Sequence, residues 1–248
     1  MKTKNLFKKT FQLKETNCTI ISDSEYSINI AMSSLKHNRR QLEIYVREHP
    51  EFLYSLNPVR IKNGPRIVKL MAEYAEKAKV GPMAAVAGVL ADLAVEEMLH
   101  AGSRVAIVEN GGEVSAVSNQ PVNIVLRAGD HPLSNNFGFR LEEFPIGVAT
   151  SSGMFSHALS FGEAEAVTIF AVNAGLADAA ATAIGNLIKG DNRREVVKLG
   201  VEKAMSIEGV KGVLIIYRDF VGIGGCIPQL AKMKDFQSSP NLNSSWTA

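Results

Sequence analysis

The sequence predicts a single α/β (α+β) domain in which a mixed sheet is layered with helices. The 248 residues are 46% apolar and 21% charged, with a mean hydropathy of +0.04. These values are typical of a globular chain and exclude disorder of the whole protein. Helical and strand patterns alternate through the second half, as expected when helices cover a sheet. We expect one domain over residues 1–234 and a polar, disordered tail over residues 235–248.

The first half of the chain predicts two short strands and three helices. Alternating apolar and polar residues at 18–22 and 26–30 predict the strands, and apolar residues at helical spacing between 35 and 46 predict the first helix. An apolar stripe over residues 67–78 predicts a second helix that ends at Gly81-Pro82. A third helix, rich in small residues, is expected from about Met83 to Gly102.

The second half predicts further strands and two more helices. The apolar run at 105–108 is typical of a buried strand, and it ends at the turn Asn110-Gly111-Gly112. The polar segment 129–143 has the composition of a loop. By the same patterns we expect strands at residues 122–127, 146–150, 166–172 and 210–217, and helices at residues 175–188 and 196–205.

The charge balance, the two cysteines and the absence of nucleotide-binding motifs exclude several classes of protein. Lys and Arg number 27 against 25 Asp and Glu, and this net charge of +2 is too small for a dedicated nucleic-acid-binding protein. Cys18 and Cys226 form neither a CxxC pair nor a disulfide framework. No secretory signal or membrane-spanning run is visible, so we expect a cytoplasmic protein without a membrane partner. Neither a P-loop nor a dinucleotide-binding glycine motif stands in its required setting.

Asp178 and Thr182 form the first candidate site. Their spacing of four places both side chains on one face of the predicted helix, where the surrounding alanines leave room for a ligand. Carboxylate and hydroxyl oxygens suit Mg²⁺ or Ca²⁺ rather than zinc. An acidic residue near a helix start also complements the dipole, and a threonine often bonds to a backbone carbonyl. The pair therefore indicates either a metal site or an ordinary feature of the helix.

The segment 109–113, Glu-Asn-Gly-Gly-Glu, is the second candidate. Glycines let backbone amides approach a phosphate or a ring closely, and ligands of α/β proteins gather at strand ends. A plain hairpin turn with solvated acidic residues is the alternative interpretation.

The third candidate is Thr150-Ser151-Ser152-Gly153, followed by Ser156 and His157. Clustered hydroxyls and a glycine after a strand can bind phosphate oxygens, and a histidine can exchange a proton near neutral pH. A local turn held by serine and threonine hydroxyls, with a surface histidine, is the alternative.

Taken in this order, the three segments resemble the ApbE family of flavin transferases over residues 87–188. The family motif Lys-Gly-aromatic-Ala-x-Asp, followed by a helix, a strand and Gly-Gly-Asp, is similar to residues 87–92 running on to residues 111–113. Its Ala-Thr-Ser-Gly, Ser-His and Ala-Asp-Ala-x-Ala-Thr-Ala segments are similar to residues 149–153, 156–157 and 177–183. The whole chain is similar to the ApbE-like branch found in archaea and anaerobic bacteria.

The resemblance implies an ApbE-like domain whose cleft binds FAD or FMN with Mg²⁺. It implies that Asp178, Thr182 and the backbone carbonyl of Leu90 hold the metal against the pyrophosphate, and that His157 and Asp92 are catalytic. Family members pass FMN to a hydroxyl of an acceptor protein, and His157 would take the proton of that hydroxyl. The implied cofactor-binding residues are Gly88, Gly111, Gly112, Glu113, Thr150, Ser151, Ser152 and Gly153.

Three residues depart from the family pattern, and they leave other functions open. Ala87 stands where the family has lysine, Val89 where it has an aromatic residue, and Glu113 where it has aspartate. One alternative is a factor for sulfur assimilation in anaerobes, associated with homocysteine synthesis, in which Cys226 carries sulfur. Another is a non-catalytic binding or assembly protein. The alanine-rich helices would suit packing in a homo-oligomer.

Overall fold

The fold is described by a computed structural model that covers residues 6–14, 16–125, 136–152 and 162–232. The predicted tail at 235–248 lies outside these residues. The elements are, in chain order, β1 (Phe7–Leu13), β2 (Thr16–Ser22), α1 (Glu25–Glu48), α2 (Pro50–Tyr54), α3 (Arg66–Ala78), a 3₁₀ turn (Pro82–Ala85), α4 (Val86–His100), β3 (Ala106–Asn110), β4 (Glu113–Val117), β5 (Val122–Val125), β6 (Phe137–Leu141), β7 (Ile146–Ser151), β8 (Ala166–Ala171), α5 (Ala174–Leu187), α6 (Arg193–Met205), β9 (Val210–Tyr217), β10 (Phe220–Gly225) and β11 (Gln229–Lys232).

These elements form three layers, with an eight-stranded sheet in the middle. The order of its strands is β1-β2-β3-β4-β7-β8-β9-β10, and a separate three-stranded sheet has the order β11-β6-β5. Helices α1, α4, α5 and α6 pack on one side of the large sheet. The small sheet covers the other side. The layered arrangement of helices and sheet predicted from the sequence is therefore confirmed.

Alternation along the central strands builds a core on each side of the large sheet. In β9, Val213 and Ile215 belong to the core under the helices, whereas Leu214 and Ile216 belong to the core under the small sheet. Successive side chains of a strand point to opposite faces, so a strand buried on both faces reads as one continuous apolar run. Phe139 of β6 and Phe170 of β8 pack edge to face with their ring centroids 4.8 Å apart, and this contact joins the two sheets.

The pairing of the strands differs from the mixed sheet that the sequence predicted. Every ladder among the described strands is antiparallel. Hairpins account for part of this, because β1–β2, β3–β4, β5–β6 and β9–β10 are neighbours both in the chain and in a sheet. Helices α5 and α6 connect β8 to β9, which are also antiparallel neighbours.

The predicted strand at 26–30 is wrong, because these residues lie in α1. Ser24 caps this helix by accepting a hydrogen bond from the Ser27 amide at 3.4 Å. Buried Ile28, Ala31 and Leu35 continue at helical spacing on the core side. The short alternation within 26–30 was compatible with either element, and the longer apolar stripe of the 24-residue helix decided between them.

The loop expected at 129–143 is also partly wrong, since residues 137–141 form β6, while residues 129–135 lie outside the described part. Strands β1, β4, β10 and β11 were not predicted from the sequence. Glycines at 222, 224 and 225 interrupt β10, whose backbone lies close to α6 at these positions. The remaining predicted helices and strands correspond to elements of the structure, with ends that differ by a few residues.

Among the described residues, no single helix is long and apolar enough to cross a bilayer. Helix α3 and the segment Pro82–His100, which includes α4, reach that length and composition only together, and the pair is bent by 102° at the break between Ala78 and Pro82.

Substitution of Gly147 by alanine is expected to destabilise the fold strongly. A Cβ atom at this position of β7 would lie 1.9 Å from the carbonyl carbon of Asn173 and 2.1 Å from the Ala174 amide, both backbone atoms at the start of α5. The helix would have to move off the sheet, which we expect to cost about 3 kcal/mol in free energy of unfolding. Denaturant unfolding of Gly147→Ala measures this loss.

Gly64→Ala is the matched control. Its Cβ would approach only side-chain atoms, at 3.2 Å or more. A loss in Gly147→Ala no larger than in Gly64→Ala would contradict close packing of α5 on β7.

Candidate site at the junction of helices α4 and α5

The first turns of α4 and α5 cross at two glycines. A Cβ atom on Gly88 would lie 2.2 Å from the carbonyl oxygen of Ala174, and one on Gly175 would lie 2.6 Å from Val89. Neither position can hold a larger residue while the backbones remain this close. The close packing of α4 on α5 thus explains why position 88 is a glycine. The role of Gly88 in cofactor binding stays a prediction.

Each helix supplies an aspartate that caps the N-terminus of the other. Asp92 of α4 accepts hydrogen bonds from the amides of Ala174 (2.9 Å) and Gly175 (2.8 Å), at the start of α5. Asp178 of α5 accepts one from the Gly88 amide of α4, at 3.0 Å. The first amides of a helix have no partner within the helix, and its N-terminus attracts negative charge. This reciprocal capping holds both carboxylates at the crossing.

Asp92 is held on both of its oxygens. Besides the two amides, its Oδ1 accepts a hydrogen bond from Ser115 Oγ of β4 at 2.7 Å. Burial raises the pKa of Asp92 to about 6 even though these hydrogen bonds favour the charged form. Asp92, one of the two residues predicted to be catalytic, therefore holds the start of α5 against α4 and β4.

Asp178 lies close to a second carboxylate, that of Glu113 at the start of β4. Burial raises the pKa of Asp178 to about 7, in spite of hydrogen bonds from the amides of Gly88 and Ala87. The pKa of Glu113 is raised well above its ordinary range, first by burial and then by the charge of Asp178. Among the described residues, none of the ion pairs involves Asp92, Glu113 or Asp178. The two carboxylates therefore repel each other without a basic side chain to balance them.

Gly111 and Gly112 form the tight turn of the β3–β4 hairpin, as the hairpin interpretation expected, but Glu109 is buried rather than solvated. Both have positive φ, +68° and +114°, which glycine adopts without strain. The Gly111 amide donates to the carbonyl of Asn17 (3.0 Å), and the Gly112 amide donates to Glu109 Oε1 (2.8 Å). Both amides are thus engaged within the protein, so this turn presents the Glu113 carboxylate to the site rather than free amides.

The hydroxyls of Thr150, Ser151 and Ser152 lie at the same end of the large sheet as this turn. Val114 pairs with Val148, so the register of β4 and β7 brings the end of β7 beside the Gly111–Gly112 turn. Thr150 Oγ1 also bonds across to Thr168 Oγ1 of β8 at 2.9 Å. Gly153 and His157, which complete this predicted segment, lie outside the described residues.

Thr182 and Leu90, the other predicted metal ligands, lie on α5 and α4. Thr182 is half-buried one helical turn after Asp178, on the same face. Leu90 lies two residues after Gly88, whose amide Asp178 contacts. Within the described residues, no three His, Cys, Asp or Glu side chains come close enough to hold a metal ion by themselves. A metal here would depend on hydroxyl, carbonyl, water or phosphate oxygens in addition to carboxylates.

Two asparagines take part in this junction: Asn173, which the sequence reasoning missed, and Asn110, which lies in the second candidate segment. Asn173 caps α5 by accepting from the Leu176 amide at 2.9 Å, and its Nδ2 donates to the Tyr74 hydroxyl at 3.0 Å. Asn110 donates to the Ala87 carbonyl at 2.9 Å and accepts from the Cys18 thiol at 3.4 Å. Preference for asparagine at helix caps could have identified Asn173. The turn pattern placed Asn110 in a candidate segment, but its bonds to Ala87 and Cys18 could not be predicted because these partners are distant in the chain.

The sequence is similar to a known protein family and to curated archaeal proteins. The family described as AbpE bacteria matches residues 2–206. A UPF0280 protein of Methanococcus vannielii is 39% identical over 242 residues, which cover 96% of this chain and 98% of the relative. A UPF0280 protein of Methanopyrus kandleri is 42% identical over 232 residues, which cover 92% of this chain and 94% of the relative.

The fold is similar to that of solved ApbE structures. The flavinyl transferase ApbE of Pseudomonas stutzeri, in its apo form, aligns with a TM-score of 0.60 at 16% identity, over 94% of this chain and 96% of that one. The ApbE protein of Thermotoga maritima aligns with a TM-score of 0.55 at 15% identity, over 94% of this chain and 98% of that one. At such low identity these structures show a shared fold.

Asp178→Asn should become more stable relative to the wild type as pH rises from about 4 to about 7. The measured quantity is the free energy of unfolding of the variant minus that of the wild type, and this difference should increase with pH. The pKa of Asp178 is raised from its ordinary value of 3.8 to about 7, so the folded chain resists losing this proton and ionisation costs stability across that range. Asparagine still accepts the Gly88 hydrogen bond but does not ionise. The difference between the two proteins should change by on the order of 3 kcal/mol over the range.

Urea unfolding at several pH values tests this, with Asp219→Asn as the control because the side chain of Asp219 is 91% exposed. A difference between Asp178→Asn and wild type that stays constant from pH 4 to pH 7 would show that Asp178 is not a strained buried carboxylate.

Proposed function

This chain belongs to the AbpE bacteria family, and we propose that it binds a flavin nucleotide together with Mg²⁺ at the α4–α5 junction. The observation that carries the proposal is the pair of half-buried carboxylates, Asp178 and Glu113, near enough that the charge of Asp178 raises the pKa of Glu113, and without a basic partner among the described ion pairs. A divalent cation between them would remove their repulsion and lower both pKa values.

The donor set suits Mg²⁺. This ion prefers oxygen ligands, and in nucleotide sites it takes one or two carboxylates, several waters and the phosphates of the ligand. The carboxylate of Asp178, the hydroxyl of Thr182 and a backbone carbonyl such as that of Leu90 would supply the protein side. Glu113 lies at the start of β4, where the charge of Asp178 contributes to raising its pKa. When bound, Mg²⁺ would supply neutralisation of charge at a pyrophosphate.

The surroundings of the pair suit the phosphate groups of the nucleotide. Ser151 follows Ala149 on the helix side of β7, so its hydroxyl can donate to phosphate oxygens at this end of the sheet. Thr150 lies on the opposite side of β7, where it bonds to Thr168. Asp92 keeps the start of α5 fixed, and with it the position of Asp178. We assign Asp92 to positioning, and we retain His157 as the proposed acceptor of a proton.

Transfer of the FMN moiety to a hydroxyl of an acceptor protein is the reaction class that this arrangement would serve. The solved ApbE of Pseudomonas stutzeri is named a flavinyl transferase, which supports the class for a chain of the same fold. Such a transfer depends on positioning and on neutralised charge. The residues at the junction would contribute both, because reciprocal capping fixes Asp178, and Asp178 with Thr182 would hold a metal that neutralises charge.

Sulfur transfer through Cys226 has less support in the structure. Cys226 is exposed just after β10, as a carrier thiol would need to be. Its amide donates to the carbonyl of Lys211 at 2.8 Å. Among the described contacts no basic group touches the thiol, so its reactivity rests on exposure alone.

Mg²⁺ is expected to strengthen binding of FAD to the wild-type protein by about tenfold or more, because it offsets the repulsion between the pyrophosphate and the carboxylates. Asp178→Asn should remove this dependence on Mg²⁺, since asparagine keeps the cap of α4 but not the charge. Calorimetric titration with FAD, with and without Mg²⁺, measures both effects.

Asp219→Asn should bind FAD and respond to Mg²⁺ as the wild type does. The proposal fails if FAD does not bind in either condition, or if Asp178→Asn retains the full effect of Mg²⁺ while its circular dichroism matches that of the wild type.

Mg²⁺ alone should raise the melting temperature more at pH 7.5 than at pH 5.5. Protons and the metal compete for the same carboxylates, and the pKa of Asp178 lies at about 7, between these two conditions. Thermal unfolding with and without Mg²⁺ tests this in the absence of flavin. An equal increase at both pH values, or the same increase in Asp178→Asn, would place the metal elsewhere.

A further inference from the structure

A second concave site lies between α1 and the β1–β2 turn. Its volume is about 380 Å³. We call it the α1 basic pocket, and its lining residues are Lys14, Lys36, Arg39, Arg40, Glu43, Ile44 and Arg47. This volume lies within the range of pockets that bind small molecules. None of these residues belongs to the α4–α5 junction.

Two separate elements build the pocket. Lys36, Arg40 and Arg47 recur along α1 at spacings of four and seven, which places them on one side of the helix. Lys14 comes from the turn between β1 and β2, where its φ is +53°. Convergence of cations from two elements distinguishes this pocket from a solvated face of a single helix.

Glu43 ties the two elements together. Its Oε1 accepts a hydrogen bond from Lys14 Nζ at 2.7 Å and another from Arg39 Nε at 3.1 Å. The hydrogen bond from Lys14 is the main reason that the pKa of Glu43 is lowered, so this carboxylate stays ionised. Lys14 and Arg39 are therefore held in place at the pocket by a single carboxylate.

The charge of the pocket is concentrated and unbalanced. Its lining holds five cationic side chains and one carboxylate, although the whole chain has a net charge of only +2. Arg39 and Glu43 show how an acidic residue four positions away can neutralise a cation on this helix. Lys36 and Arg40 have the same spacing with like charges, which destabilises a helix unless an anion lies between them.

We propose that the α1 basic pocket binds a compact oligophosphate, a chain of two or three phosphates that is either free or part of a nucleotide. Guanidinium groups bind phosphate oxygens in pairs, and three of the lining residues are arginines. Among the described lining residues none is aromatic and Ile44 is the one aliphatic side chain, so recognition is by charge and not by stacking on a ring. A single concavity also suits a small anion better than the extended backbone of a nucleic acid.

Calorimetric titration of the full chain with inorganic triphosphate, in low-salt buffer with EDTA, tests the proposal without involving Mg²⁺ or flavin. The double variant Arg40→Gln/Arg47→Gln keeps side chains that favour a helix and should bind triphosphate about tenfold more weakly than the wild type. Arg194→Gln, an exposed arginine on α6, is the matched control and should bind within about twofold of the wild type.

Two further ligands identify the source of the phosphates. Tighter binding of ATP than of triphosphate, lost in the double variant, would identify a nucleotide, and equal binding would identify the phosphate chain alone; both support the pocket. The proposal would be overturned if Arg194→Gln weakened triphosphate binding as much as the double variant does, or if the wild type did not bind triphosphate. So would an oligothymidylate that binds through Arg40 and Arg47 more tightly than triphosphate. Asp178→Asn should bind triphosphate normally, which separates this test from that of the α4–α5 junction.

Discussion

The reciprocal capping of α4 and α5 is the constraint on which the rest of the site depends. Asp92 and Asp178 each bind the N-terminal amides of the other helix, at a crossing that only Gly88 and Gly175 allow to be this close. A capping side chain usually belongs to its own helix. Here each cap comes from the neighbouring helix, so the position of each helix is fixed by the other. Gly147 completes the arrangement, because it lets the start of α5 rest directly on the sheet.

The same arrangement leaves Asp178 between opposing influences. The Gly88 and Ala87 amides and the N-terminus of α4 favour its carboxylate form, whereas burial and the neighbouring carboxylates favour the protonated form. The pKa near neutrality is the result of this opposition. A small change in local charge is therefore enough to ionise the group, and a bound cation would supply that change. Asp92 is in a similar position, but its two oxygens already hold three donors.

Regular periodicity made much of the fold predictable, and long-range packing decided the remainder. The apolar stripe of α3 and the continuous apolar run of β9 each identify one element. The 26–30 segment did not, because a strand and one turn of α1 bury similar residues over so short a stretch. Strand β10 was hidden by glycines that only its contact with α6 explains. Asp178 and Thr182 could be paired by spacing, but the bonds of Asp92 to Ala174 and Gly175 join residues more than 80 positions apart.

The composition of this chain does not show how unevenly its charged residues are distributed in the fold. The net charge is only +2, yet acidic and basic residues cluster in different parts of the structure. The α4–α5 junction gathers carboxylates whose pKa values are raised first by burial and then by their repulsion, while the α1 basic pocket gathers lysine and arginine around a single glutamate. Both clusters oppose stability on their own, since like charges repel more strongly as they are removed from water. Folding brings them together because the elements that hold them are fixed by apolar packing. The proposed ligands, a cation at the junction and an oligophosphate at the pocket, have the opposite charge and would stabilise each cluster.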